Sequence, residues 1–182
     1  MAVTISGDGT ITGISAGGLP NGSVTSDTLA STLDLSGNTI TLPSGTAGKV
    51  LQVTQGTTNT GITSATNVYV DTGLSASITP SSTSNKILVY INVPMARKYS
   101  GTQMHSKLLR DSTDIYFWQR YGLDTNDTSR LCVPMSAMYL DTPATTSAIT
   151  YKLQFMSSQN IGTVQMQLDG VDSTLTLMEI AG

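Results

Sequence analysis

Apolar and polar side chains alternate through most of the chain beyond residue 67. Lys86-Ile87-Leu88-Val89-Tyr90-Ile91-Asn92-Val93 and Ile149-Thr150-Tyr151-Lys152-Leu153-Gln154-Phe155-Met156 have the two-residue period of a strand with one face in a core. The pattern predicts strands at Val68–Asp71, Leu74–Thr79, Lys86–Val93, Met104–Arg110, Asp114–Arg120, Leu131–Asp141, Ile149–Met156, Thr163–Leu168 and Thr174–Ile180. Turn-forming residues separate them, among them Pro80–Asn85, Tyr121–Asp127, Asp141-Thr142-Pro143, Ser157–Gly162 and Asp169-Gly170. Short strands at this spacing predict an all-β fold, an antiparallel β-sandwich of the jelly-roll kind, over residues 67–182.

The first 66 residues read differently. Leu35-Ser36-Gly37-Asn38-Thr39-Ile40-Thr41 echoes Ile5-Ser6-Gly7-Asp8-Gly9-Thr10-Ile11-Thr12, and the glycines and Asn supply the positive φ of tight turns. Two small β-hairpins or corners are expected there. Between them, Val24, Thr28, Leu29 and Leu33 predict one or two turns of amphipathic helix capped by Ser23 or Ser26. Residues 49–66 read as a linker enclosing one short strand, Lys49–Thr54. The expected organisation is an N-terminal segment (1–48), this linker, and the sandwich (67–182).

Composition sharpens the contrast. All ten aromatic residues lie at or beyond Tyr69, and the only charges before residue 67 are Asp8, Asp27, Asp34 and Lys49. A segment this short, without aromatic mass, makes a poor independent core. It is also too apolar and too weakly charged for ordinary disorder. The expectation is a segment that borrows its core from other copies of itself or from a larger assembly.

The chain as a whole takes its polarity from 29 Thr and 22 Ser rather than from its 21 charged residues. Thr favours strands over helices, so a helical bundle is not expected. A net charge of −3 offers no broad footprint for nucleic acid. No apolar run approaches the roughly 18 residues of a membrane span. The N-terminus has neither the basic nor the apolar region of a signal peptide.

Candidate chemistry is sparse. Cys132 and His105 are each the single residue of their type, which excludes an intrachain disulfide and a cysteine-built zinc site. Glycan cleavage needs two carboxylates at a fixed separation. The close pairs Asp111/Asp114, Asp124/Asp127 and Asp169/Asp172 all fall in predicted turns, where Asp caps backbone amides. No enzymatic activity, cofactor or metal is expected. In Asp114-Ile115-Tyr116-Phe117-Trp118-Gln119-Arg120-Tyr121, alternation separates Phe117 from Tyr116, Trp118 and Arg120. With the Phe117 face in the core, Tyr116, Trp118, Arg120 and Tyr121 become the candidate contacts with a receptor or partner. The plainer alternative buries both faces, one in the sandwich and one between subunits.

The stretches Asp71-Thr72-Gly73-Leu74, Ser77-Ile78-Thr79-Pro80-Ser81-Ser82, Asn85-Lys86-Ile87-Leu88-Val89, Tyr139-Leu140-Asp141-Thr142-Pro143 and the terminal Ser173–Ile180 resemble, in order and spacing, the knob domains of phage tail fibres. Gly9-Thr10-Ile11-Thr12-Gly13 and Gly17–Val24 are similar to the openings of marine podophage and myophage fibre proteins. The resemblance implies a homotrimer with a jelly-roll-like knob, sited on the virion and made in the host cytoplasm. Its partners would be other copies, a tail nozzle or adaptor protein, and a glycan or protein of the host surface. Ile5, Ile11, Ile14 and Leu19 would anchor the segment to the particle. The chain lacks the extended shaft of long fibres, so a capsid decoration or head fibre on the major capsid protein is the alternative, and a surface-glycan depolymerase a more distant one.

Overall fold

The computed structural model describes residues 4–5, 11–12, 48–99, 101–123 and 130–182, and of residues 4–5, 11–12 and 118–123 it describes the backbone alone. The chain divides into two compact units, Met1–Pro43 and Ser44–Gly182. In the first, β1 (Thr4–Ile5) and β2 (Ile11–Thr12) pair antiparallel, with Ile5 opposite Ile11. That is the first of the two expected hairpins. The second, the helix over residues 23–33, and the anchoring candidates Ile14 and Leu19 lie outside the described residues.

The second unit is an antiparallel β-sandwich, with no α-helix among its described residues. One sheet has four strands in the order β5 (Val70–Ile78), β10 (Ile149–Ser157), β7 (Met104–Arg110) and β8 (Thr113–Leu123). The other sheet is centred on the 13-residue β6 (Lys86–Lys98). Along Lys86–Asn92, β6 pairs with β12 (Ser173–Ile180), which carries β3 (Val50–Thr58) on its outer side. Along Ala96–Lys98 it pairs with β11 (Val164–Met166), which carries β4 (Ile62–Ser64). β9 (Leu131–Asp141) pairs with β6 as well.

The inward positions of both sheets merge in one core, in which Ile87, Val89, Leu108, Tyr151, Leu153, Phe155, Leu175 and Leu177 have no exposed surface. Burial of each such side chain contributes about 1.5–3 kcal/mol. Met104, Met135 and Met166 are part of this core, whereas Met138 is exposed.

Three segments differ from the sequence reading. Residues 49–66 are not a linker: β3 and β4 are members of the six-stranded sheet. The strands expected at Val68–Asp71 and Leu74–Thr79 are one strand, β5, carried through a bulge against Lys152–Gln154. The strand expected at Thr163–Leu168 stops at Met166, because Gln167 and Asp169 take left-handed φ of 55° and 58° around a turn of 3-10 helix at Leu168–Gly170.

The sheets are joined along two sides by different means. Beside β3 and β5, a Cβ on Gly56 would lie 1.7 Å from the Ser75 carbonyl oxygen, so the main chains touch there and only glycine fits. Gln52 Nε2 and Thr54 Oγ1 donate to the Thr79 and Ser77 carbonyls at 2.8 and 3.1 Å. The other side depends on side chains. Arg110 on β7 grips both carboxylate oxygens of buried Asp141 on β9, at 3.0 and 2.8 Å, and Tyr151 Oη donates to the same carboxylate at 2.6 Å. Burial, and then the Asp141 carboxylate, push the Tyr151 hydroxyl far above its ordinary pKa, so it stays a donor.

Candidate functional site

Because inward positions fill the core, function has to be sought on the two outer faces. On the four-stranded sheet the register aligns Asp71 with Gln154, Gln154 with Lys107, and Lys107 with Phe117. These four side chains form one row across all four strands, pointing away from the core. Gln154 Nε2 donates to Asp71 Oδ1 at 2.7 Å, and Lys152 Nζ lies 3.4 Å from the same oxygen. Lys107 Nζ is 2.8 Å from Asp114 Oδ1 and sits 4.4 Å above the Tyr69 ring. Phe117, at the end of the row, is 54% exposed.

The bulge in β5 shapes the same face. Thr72 turns inward, donating from Oγ1 to the Leu153 carbonyl at 2.9 Å and accepting from the Leu74 amide at 3.0 Å. Gly73 follows with φ 78°, a conformation that costs a glycine little. A depression of about 80 Å³ results, lined by Asp71, Gly73, Leu74, Ser75, Lys152 and Leu153.

The six-stranded sheet presents the opposite chemistry. Val53 aligns with Met178, Met178 with Leu88, and Leu88 with Leu140. The adjacent row reads Gln55, Thr176, Tyr90, Met138. Val53, Met138 and Leu140 are 56%, 66% and 50% exposed, and Leu51 and Tyr90 are exposed beside them. No charge interrupts these two rows.

Of the receptor-contact candidates only Tyr116 has a described side chain, and it turns toward the core. The register shifts between Leu108 and Leu109, so Leu108 faces Tyr116 while Leu109 faces Asp114, which leaves Ile115 in a bulge. The two-residue alternation is broken there, and both Ile115 and Tyr116 pack on the core. Tyr116 stacks on Tyr139 of the facing sheet, ring centroids 5.0 Å apart and planes 24° apart. Phe117 is therefore the outward residue, opposite to the arrangement that would expose Tyr116. Trp118 lies opposite Ser106 in the ladder, and the side chains of Trp118, Arg120 and Tyr121 lie outside the described residues. Ile5 and Ile11 face each other in the N-terminal ladder.

Of the other candidate chemistry, Asp124 and Asp127 lie outside the described residues, while Asp111 and Cys132 have structural partners. Asp111 takes a left-handed φ of 53° in the β7–β8 turn and accepts from the Thr150 amide at 2.9 Å. Cys132 accepts from Arg97 Nε at 3.2 Å, and Arg97 also donates to Tyr99 Oη at 2.7 Å. These acceptors, Cys132 first, hold the Arg97 guanidinium above its ordinary pKa. His105 lies on β7 opposite Met156. Among the described residues no three His, Cys, Asp or Glu side chains gather as a metal site.

Buried Glu179 on β12 is the second carboxylate anchor. Burial raises its pKa, but hydrogen bonds from Asn85, Gln52, the Ser81 amide and the Ser81 hydroxyl outweigh this and lower it from 4.5 to about 2. It ties the β5–β6 turn to the six-stranded sheet.

No protein-family model matches the chain, and no curated protein matches it. The sequence reading missed the polar row. Its members are spread from residue 71 to residue 154 and come together only through strand pairing. The apolar row left a visible trace, since Ile87-Leu88-Val89-Tyr90-Ile91 and Leu175–Ile180 are apolar at positions of both parities.

Proposed function

We propose that the chain is a phage virion structural protein, a homotrimeric short tail fibre with a jelly-roll-like knob. Residues 1–48 dock on the particle, and the sandwich meets the host cell surface. The observation that carries this reading is the uncharged patch on the outer face of the six-stranded sheet, where Val53, Met178, Leu88 and Leu140 form a row across four strands with Met138 and Tyr90 beside it. A contiguous apolar patch of this kind favours association, and other copies of the same chain supply an equally uncharged surface. The N-terminal unit, whose only charges are Asp8, Asp27 and Asp34 and which has no aromatic residue, supports a docking role. The polar face on the opposite sheet remains available to an external partner. No enzymatic step is assigned.

The mass of the full-length protein in solution tests the proposal. Light scattering is expected to give about three times 19.1 kDa, and a well-folded monomer at micromolar concentration overturns the trimer. Deleting residues 1–43 is expected to abolish attachment to particles while the sandwich stays folded. Recovery of the full chain with purified tails, rather than with tail-less heads, separates the fibre from a capsid decoration bound to the major capsid protein.

A further inference from the structure

The outer face of the four-stranded sheet is polar but locally neutral. The charged side chains along its central rows form two ion pairs, Asp71 with Lys152 and Lys107 with Asp114. Such a face attracts neither a polyanion nor a polycation. It does present hydrogen-bonding groups that are already oriented: Gln154 and Lys152 hold the Asp71 carboxylate, and Asp114 and the Tyr69 ring hold Lys107. Groups fixed before binding lose little freedom on meeting a ligand. At one end of the row stands the half-exposed ring of Phe117; at the other, the depression between Asp71, Gly73, Ser75 and Lys152.

We propose that this face binds a neutral oligosaccharide lying across β5, β10, β7 and β8. One sugar ring lays its C–H face on Phe117, and another sits in the depression. There adjacent hydroxyls donate to the Asp71 carboxylate and accept from the Lys152 ammonium. Three inter-strand steps separate Asp71 from Phe117, roughly 14 Å, the reach of a short oligosaccharide rather than of one ring. The ligand chemistry follows from the pairing of the charges: a neutral polyhydroxylated chain satisfies donors and acceptors without leaving either ion pair unbalanced. The inference rests on the reading above only for the source of the sugar, a host cell surface.

Affinity electrophoresis of the purified full-length protein tests it, using gels that contain dextran, mannan or galactan, with dextran sulfate as the charged comparison. Retardation by at least one neutral polymer is expected. Phe117→Ala should weaken it at least about tenfold, as truncation of an aromatic anchor does. Ser75→Tyr, which fills the depression, should weaken it comparably. Both side chains point outward, so the melting temperature and solution mass should match the unaltered protein. Three results overturn the site: no retardation by any neutral polymer, retardation by dextran sulfate alone, or retardation of both variants as strong as that of the unaltered protein. Solution mass on the same samples keeps the two proposals apart. A trimer that binds no neutral polymer removes the sugar site and leaves the fibre, whereas a monomer that binds one does the reverse.

Discussion

Across the four-stranded sheet the outward row reads Asp71, Gln154, Lys107, Phe117; across the six-stranded sheet a row of equal width reads Val53, Met178, Leu88, Leu140. Both rows sit on strands of one sandwich, and the inward side of those strands supplies the shared core of Leu, Ile, Val, Tyr and Phe side chains. The core needs only one face of each sheet. Folding therefore constrains the outer faces weakly, and their contrast reflects what each is for. Charges held in pairs keep the first row soluble and unsuited to burial against a copy. The second row has no charge to desolvate, so covering it costs little.

The most severe way to break the comparison is to remove the joint that holds the two faces back to back. Asp141→Ala leaves the Arg110 charge and the Tyr151 hydroxyl without their partner, and urea unfolding should report a loss of about 3–5 kcal/mol. A change confined to one face should be more selective. Met138→Asp combined with Leu140→Asp puts two charges on the apolar row and is expected to reduce the solution mass to the 19.1 kDa monomer. Phe117→Ser on the other sheet should leave the mass unchanged.

Acid sharpens the contrast by weakening the six-stranded side. The folded-state pKa of Glu179, about 2, lies below its ordinary value of 4.5. In that window the folded protein binds fewer protons than the unfolded chain. The stability contributed by Glu179 is therefore complete above about pH 4.5 and is lost as the pH falls toward 2. Urea midpoints between pH 7 and pH 2.5 should decline over this range, and less steeply in Glu179→Gln. The smallest effect belongs to Phe117→Ser, whose exposed ring should change stability by less than about 0.5 kcal/mol in the same assay.

Where apolar-rich or alternating runs lay between clear turn residues, the strands were legible. Met104–Arg110 and Leu131–Asp141 have the bounds their patterns predict, and Lys86–Val93 is the first part of a strand that runs on to Lys98. The pattern failed where other forces took over. In β3 the inward positions are Gln52, Thr54, Gly56 and Thr58, polar or small because they line the tight seam with β5, so a sheet strand looked like a linker. In β8 the bulge at Ile115 moved Tyr116 to the core side and Phe117 outward, which one residue of drift suffices to do. The polar row was illegible for a different reason. Asp71 and Gln154 are hydrogen-bonded yet 83 positions apart, and strand pairing cannot be read from local alternation.

The glycine at position 56 has a mechanical consequence. Along β3 and β5 the two sheets meet main chain to main chain, as firmly as pages meet at a book's spine. Toward β9 they are held by clasps: a ring on β8 stacked on a ring of β9, and a guanidinium from β7 and a phenol from β10 on one β9 carboxylate. Clasps release one at a time, so a sandwich pulled by its surface is expected to open first along that fore-edge and to stay bound along the spine.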